Sequence, residues 1–305
     1  MSRQVGTVFK RMKGFYYVDV EGTIHLCRIK GNLFQKNLYG NSVAVGDQVE
    51  IDLDASEDAG WIYKILPRHS KLSRPARDGK VEQVLVSNIE SLLIITSVKD
   101  PPFRSGIVDR FLITAQRGGL KPVIVLNKID LSDQQFIMEI TAPYESLGYS
   151  VLQTSAAEQT GLDELKALLQ KKTSVLSGHS GVGKSSLLKA LFPNWEIKIG
   201  SVSSTSHKGK HTTTISEMFP LPGGGYVVDT PGIRELGLYQ LPPEELDQFF
   251  IEFETVRNQC KYKGCSHRHE PSCGIQDAVR TGHITEQRYH SYCSIYESLL
   301  ENNLR

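Results

Sequence analysis

The order of two short motifs constrains this chain more than either motif alone. Gly178-His179-Ser180-Gly181-Val182-Gly183-Lys184-Ser185 fits G-x-x-x-x-G-K-[ST], the loop whose backbone amides cradle nucleotide phosphates. Asn127-Lys128-Ile129-Asp130 fits N-K-x-D, the guanine-selecting element of a GTPase, which ordinarily follows the phosphate loop. Here it comes first. A domain with that order is rotated in sequence, so both of its chain ends are moved and the flanking segments attach at unusual places.

The surrounding pattern supports both motifs. Residues 173–176 form a short apolar run ahead of the phosphate loop, and Ser185-Ser186-Leu187-Leu188-Lys189-Ala190 continues it as a helix. Residues 91–96 and 122–126 are nearly continuous apolar runs, as strands buried on both faces require, with shorter versions at 151–154 and 226–228. Helical patterns over 109–117, 133–147, 162–169 and 185–191 fall between them, which predicts an α/β domain with a mainly parallel sheet. Residues 1–70 read differently. Five short alternating segments at 4–8, 14–20, 23–30, 48–53 and 61–66 predict a small β-barrel of the OB type. Beyond Pro242-Pro243 the chain turns helical and polar. The expected organisation is a multidomain α/β protein: a barrel over 1–72, a circularly permuted P-loop GTPase domain over 73–237 and a helical domain over 238–305.

The motifs assign chemistry to particular residues. Lys184 is placed to neutralise β- and γ-phosphate charge, and Ser185 to hold Mg²⁺, while the amides through Ser186 face the phosphates. Asp229-Thr230-Pro231-Gly232 follows the apolar Tyr226-Val227-Val228, so Asp229 sits at a strand end within reach of a Mg²⁺ water and the Gly232 amide can sense the γ-phosphate. The Asp130 carboxylate can accept from guanine N1–H and the exocyclic amine together, a pairing that adenine cannot offer. Asn127 and Lys128 frame it, and Thr154-Ser155-Ala156 after the next strand suits the loop that backs the base.

Residues 201–214 are rich in Ser, Thr, Gly and Lys, and a threonine there, Thr213 with Thr212 beside it, is expected to complete the Mg²⁺ shell when GTP is bound. Many small GTPases carry a glutamine just after D-x-x-G to orient the attacking water. Ile233 takes that position here and cannot do so, which makes His211 the candidate for that task and predicts slow intrinsic hydrolysis.

Cys260-x4-Cys265-x-His267-x5-Cys273 offers three thiolates and one imidazole, a complete tetrahedral set for a structural Zn²⁺ with no position left for water. His269, His283 and His290 read as surface or capping residues, and Cys27 and Cys293 as small core residues. No apolar run approaches the roughly 20 residues that cross a bilayer. Met1-Ser2-Arg3-Gln4 lacks the layout of a signal peptide, so a reduced, cytoplasmic setting is expected. The formal charge of the 305-residue chain is only +1, but residues 1–40 carry seven basic against two acidic side chains, and an acidic stretch runs from Asp47 to Asp58. Such patches can steer toward phosphate backbones. No coiled-coil or apolar seam suggests a dimer, so a monomer is expected, with neither membrane nor DNA as a partner.

This permuted order, with a β-barrel ahead and the Cys/His cluster behind, resembles the RsgA (YjeQ) family of GTPases that depend on the small ribosomal subunit. Residues 178–186, 208–214 and the cluster from Cys260 to Cys273 carry the likeness. The resemblance implies an OB-fold domain, a permuted GTPase domain and a zinc-binding domain. It implies action in late maturation of the small subunit, with rRNA bound and release after GTP hydrolysis that the subunit stimulates. It also implies a catalytic role for His211 and an RNA target for the barrel, with Phe15, Tyr16, Tyr17 and Phe34 as candidate stacking residues. Two readings compete with it: a GTP-dependent binding module for a non-ribosomal RNA or protein partner, and a metabolic P-loop ATPase.

Overall fold

The computed structural model describes residues 3–12, 14–31, 43–53, 59–75, 82–195, 216–229, 238 and 240–303. Five short strands, β1 (Gln4–Met12), β2 (Phe15–Val20), β3 (Thr23–Ile29), β4 (Gln48–Asp52) and β5 (Gly60–Ile65), fall where the alternation predicts them. β1 pairs antiparallel with both β2 and β4, and β3 runs parallel to β5, so the order β1-β2-β3-β5-β4 returns to β1 and closes a barrel. Alternate residues point inward, and Val8, Tyr16, Val18, Cys27, Val49, Ile51 and Ile62 form the barrel core. Tyr16 is therefore committed to packing. Phe15 and Tyr17 are half-buried beneath Arg28 and Lys10, whose charges lie 4.8 and 5.9 Å from the ring centroids. Phe34 lies outside the described residues.

Asp47 is no part of a solvated acidic patch. It is fully buried and accepts from Arg68 Nε at 2.6 Å and Nη2 at 2.7 Å, from Ser87 Oγ at 2.5 Å and from the Ala44 amide at 2.8 Å. A carboxylate survives burial only when its lone pairs are taken in this way. It ties the barrel to a separate hairpin of β6 (Lys71–Pro75) and β7 (Glu82–Ser87), and β6 spans the expected first boundary between residues 72 and 73. Replacing Asp47 with alanine removes the buried carboxylate that Arg68, Ser87 and the Ala44 amide share, and should destabilise the protein by about 3 kcal/mol, read from the denaturant midpoint. A loss below about 1 kcal/mol is what an exposed pair would give, and would contradict the buried geometry.

The nucleotide-domain strands are β8 (Ser91–Ser97), β9 (Lys121–Asn127), β10 (Ser150–Gln153), β11 (Thr173–Ser177), β12 (Ser216–Pro220) and β13 (Tyr226–Asp229). They lie in the order β10-β9-β8-β11-β13-β12, all parallel except β12. Helices α1 (Ser105–Gly118), α2 (Gln134–Glu145), α3 (Leu162–Leu169) and α4 (Lys184–Leu191) cover the two faces. Every residue of β8 is buried, and its side chains alternate between two cores. Leu92 and Ile94 join Val108, Phe111 and Leu112 of α1, whereas Leu93 and Ile95 join Leu165 of α3 and Leu187 and Leu188 of α4. Asp133 starts α2 by accepting from the Phe136 amide at 2.9 Å.

Beyond residue 240 the chain makes 3-10 turns at Pro243–Phe249, Ile251–Phe253 and Arg257–Gln259, then α5 (Gly274–Arg280) and α6 (Glu286–Asn303). Leu246, Phe250, Phe253, Tyr292 and Ile295 form its core, which Ile113 of α1 joins. Beside that apolar joint, the buried Arg288 of α6 pairs with Asp109 of α1 and reaches Glu252 through Nε at 2.7 Å. The helical domain thus docks on α1. The barrel precedes the guanine-reading half in sequence but is seated elsewhere: β1 pairs with β12, so the barrel extends the nucleotide-domain sheet from the edge opposite β10. Among the described residues no helix is long and apolar enough to cross a membrane.

Candidate functional site

The phosphate loop runs from the C-terminal end of β11 into α4, at the strand ends where open α/β sheets bind ligands. Its glycines are required by space as well as by turn geometry. A Cβ on Gly178 would meet the Ile95 carbonyl at 2.1 Å, and one on Gly183, whose φ is +96°, would meet Asn127 Nδ2 at 2.2 Å. Val182 is buried and anchors the loop in the core below, while His179, Ser180, Gly181, Ser185 and Ser186 are exposed. Lys184 Nζ lies within the loop's arc, donating to the Gly178 carbonyl at 2.7 Å and the His179 carbonyl at 2.9 Å.

Asn127, fully buried at the end of β9, joins the motifs that the sequence separates. Its Nδ2 donates to the Val182 carbonyl at 2.9 Å, and its Oδ1 accepts from the Ala156 amide at 3.3 Å and Thr154 Oγ1 at 3.3 Å. One side chain therefore pins the phosphate loop, the guanine element and the 154–156 loop together. Ser155 Oγ accepts from the Glu158 amide at 3.0 Å and donates to Asp130 Oδ1 at 2.5 Å, which fixes the carboxylate that would read the base. Lys128 has a left-handed φ of 62°, and its ammonium donates to the Asp100 carbonyl. That carbonyl has no signature in sequence, because any residue supplies one. Asp229 ends β13 opposite Glu217 in the register. His211, Thr212, Thr213, Gly232 and Ile233 lie outside the described residues.

The Cys260, Cys265, His267 and Cys273 donor atoms lie within 4.8 Å of one another. Cys260 Sγ and Cys273 Sγ are 3.8 Å apart, and each is 3.4 Å from His267 Nδ1. For metal–sulfur bonds of about 2.3 Å and a metal–nitrogen bond of about 2.0 Å, tetrahedral edges come to roughly 3.8 and 3.5 Å. The donors fit. His267 Nε2 faces Asp247 Oδ2 at 3.8 Å, an electrostatic contact longer than a hydrogen bond. The loop carrying His267 is held by Glu270, which accepts from the amides of Ser266, Arg268 and His269 at 2.7, 3.1 and 3.2 Å. Burial opposes the charge of Glu270, but these hydrogen bonds outweigh it and hold the carboxyl well below its usual range. Without metal, burial pushes the Cys265 thiol up to about 12, so a bound ion must displace its proton.

The chain is similar to known proteins over nearly its whole length. The model of the RsgA N-terminal domain matches residues 5–62, and that of the RsgA GTPase matches residues 65–239. A relative from Chlorobaculum parvum, named small ribosomal subunit biogenesis GTPase RsgA, is 40% identical over 311 residues, covering 99% of this chain and 100% of its own. The protein of that name from Flavobacterium psychrophilum is 37% identical over 302 residues, covering 96% of this chain and 92% of its own. The crystal structure of YjeQ from Thermotoga maritima superposes with a TM-score of 0.77 at 34% identity, covering 98% of this chain and 99% of that one. That of YloQ, described as a circularly permuted GTPase, gives 0.72 at 29%, covering 99% and 96%. Fold and site together define a circularly permuted P-loop GTPase, with a β-barrel ahead and a metal-donor cluster behind. The chain belongs to the RsgA GTPase family.

Proposed function

We propose that this GTPase assists late maturation of the small ribosomal subunit, meeting its rRNA through the barrel and leaving after GTP hydrolysis. The observation that carries the reading is Asn127, whose hydrogen bonds make one guanine-nucleotide site out of motifs in permuted order. Relatives with the same span of chain are named for small-subunit biogenesis. Asn127, Lys128, Asp130, Ser155 and Ala156 hold the guanine, and the amides from Gly178 to Ser186 hold the phosphates. Lys184 neutralises charge on the β- and γ-phosphates. Ser185, exposed in the first turn of α4, and Asp229 hold Mg²⁺, which offsets phosphate charge as it develops. Thr213 completes that shell, Gly232 senses the γ-phosphate, and His211 positions the water that Ile233 cannot.

The Cys/His cluster holds one structural zinc, because four donors close a tetrahedron and leave no site for water. Three functional units, over 1–72, 73–237 and 238–305, work as a monomer in the bacterial cytoplasm. Intrinsic hydrolysis is slow, and the small subunit stimulates it. Isolated small subunits should raise GTP turnover by at least about 10-fold, well within the roughly 10³–10⁵-fold that a partner completing a GTPase site can supply, whereas large subunits and free RNA should not. Equal turnover with all three points instead to a binding module for another partner.

A further inference from the structure

The joint between barrel and nucleotide domain places three residues in one row across three adjacent strands. Lys10 of β1 is the register partner of Glu217 in β12, and Glu217 is the register partner of Asp229 at the end of β13. The first link is also an ion pair, with Lys10 Nζ 2.8 Å from the Glu217 carboxylate and side-chain exposures of 26% and 21%. Partial burial of this kind makes a pair more than a screened surface contact.

Strand β1 is bent to make this joint. Its first half, Gln4 to Thr7, pairs with β4 inside the barrel, and Lys10 and Arg11 pair with β12. Between them the register with β2 shifts at a bulge from Val8 to Lys10. Bulges re-aim strands. The residue at the bulge, Phe9, leaves the barrel core and packs against the nucleotide-domain cluster that contains Met218 of β12 and Val228 of β13. A backbone ladder, an ion pair and an aromatic side chain thus attach the barrel to hairpin β12–β13. That hairpin is short, so nothing intervenes between Glu217 and the residue that opens D-x-x-G.

We propose that Lys10 and Glu217 are positioning residues for GTP hydrolysis. They hold the β12–β13 hairpin, and with it Asp229, in a register set by the barrel, so that RNA seated on the barrel tunes the GTP site from the β12 side. The proposal rests on the reading above, in which Asp229 serves the metal and the barrel meets RNA. The proposed coupling includes nucleotide affinity, and for affinities linkage is reciprocal: the nucleotide state also changes the β1–β12 joint.

A charge swap tests it. Lys10→Glu and Glu217→Lys should each lower small-subunit stimulation about fivefold while still co-sedimenting with the subunit, and the double variant should recover to within about twofold. Loss in Lys10→Glu alone, with no rescue by the swap, would make Lys10 an ordinary phosphate contact and overturn the proposal. Deuterium exchange in the isolated protein gives a second readout. Peptides spanning β1 and β12 should exchange at different rates with GDP and with a hydrolysis-resistant GTP analogue, a difference lost in each single variant and regained in the swap. A wild-type protein that small subunits fail to stimulate overturns the assembly reading alone. Equal exchange with both nucleotides overturns this one.

Discussion

Replacing Asp130 with asparagine should turn a guanine site into a xanthine site. Guanine presents two donors, N1–H and the exocyclic amine, and a carboxylate accepts both. Xanthine has an oxygen where guanine has the amine, so it needs one acceptor and one donor from the protein. The orientation of the new amide is not free. Ser155 Oγ accepts from the Glu158 amide and donates to the carboxylate at position 130. A substituted side chain that keeps this donated bond turns its oxygen toward Ser155 and presents its NH₂ to the base. That donor opposes the guanine amine and matches the xanthine oxygen. A site whose polar groups a bound base covers rejects the wrong hydrogen-bond pattern strongly, so the GDP-to-XDP preference should invert by on the order of 10⁴-fold. Titration with fluorescent GDP and XDP reads it directly. An unchanged preference would remove the base-reading role from Asp130 and reopen the ATPase alternative.

The residues in that prediction were legible because their signals are local. N-K-x-D, the glycine spacing of the phosphate loop and the apolar runs of β8 and β9 each lie within about ten residues, the reach of periodicity arguments. The five barrel strands were legible for the same reason. The joints between domains were not. Asp47 looks like the start of an acidic surface stretch, and only its contacts with Arg68 and Ser87, which come later in the chain, make it a buried hub. Arg288 finds Asp109 across 179 residues. Nothing in Ser216–Pro220 announces that its free edge is taken by a barrel strand. In sequence, D-x-x-G leads on toward the Cys/His cluster of the helical domain. The tertiary joints add a different partner for the β12–β13 hairpin, the barrel, and place the metal domain on α1 instead.

Loss of the metal should dismantle the helical domain and spare the nucleotide site. The segment around the donors has little regular structure of its own: three 3-10 turns and the short α5 supply few repeating hydrogen bonds. Cys273 lies within the domain core, and Cys260 and Cys265 pack against it, so the ligands and the apolar cluster are one unit. Helix α6 leans on the same loop, with Tyr289 and Tyr292 donating to the carbonyls of His267 and Ser266 at 2.7 and 3.0 Å. A structural zinc contributes about 10–16 kcal/mol of apparent binding free energy, as large as the whole stability of a typical domain, about 5–15 kcal/mol. Cys265→Ser should therefore lower bound metal from one equivalent toward zero by elemental analysis, and erase exchange protection in α6. GDP affinity should change less than about tenfold, because domains with separate cores behave nearly independently: Leu187 and Leu188 under the phosphate loop belong to the cluster of β8 and α3, not to that of the metal domain. What remains shared is α1, where Ile113 and Asp109 would lose their partners. A second unfolding transition should appear at low temperature, with the nucleotide-binding one persisting above it. A single cooperative transition in which GDP binding and α6 protection vanish together would show that α1 makes the two domains one folding unit.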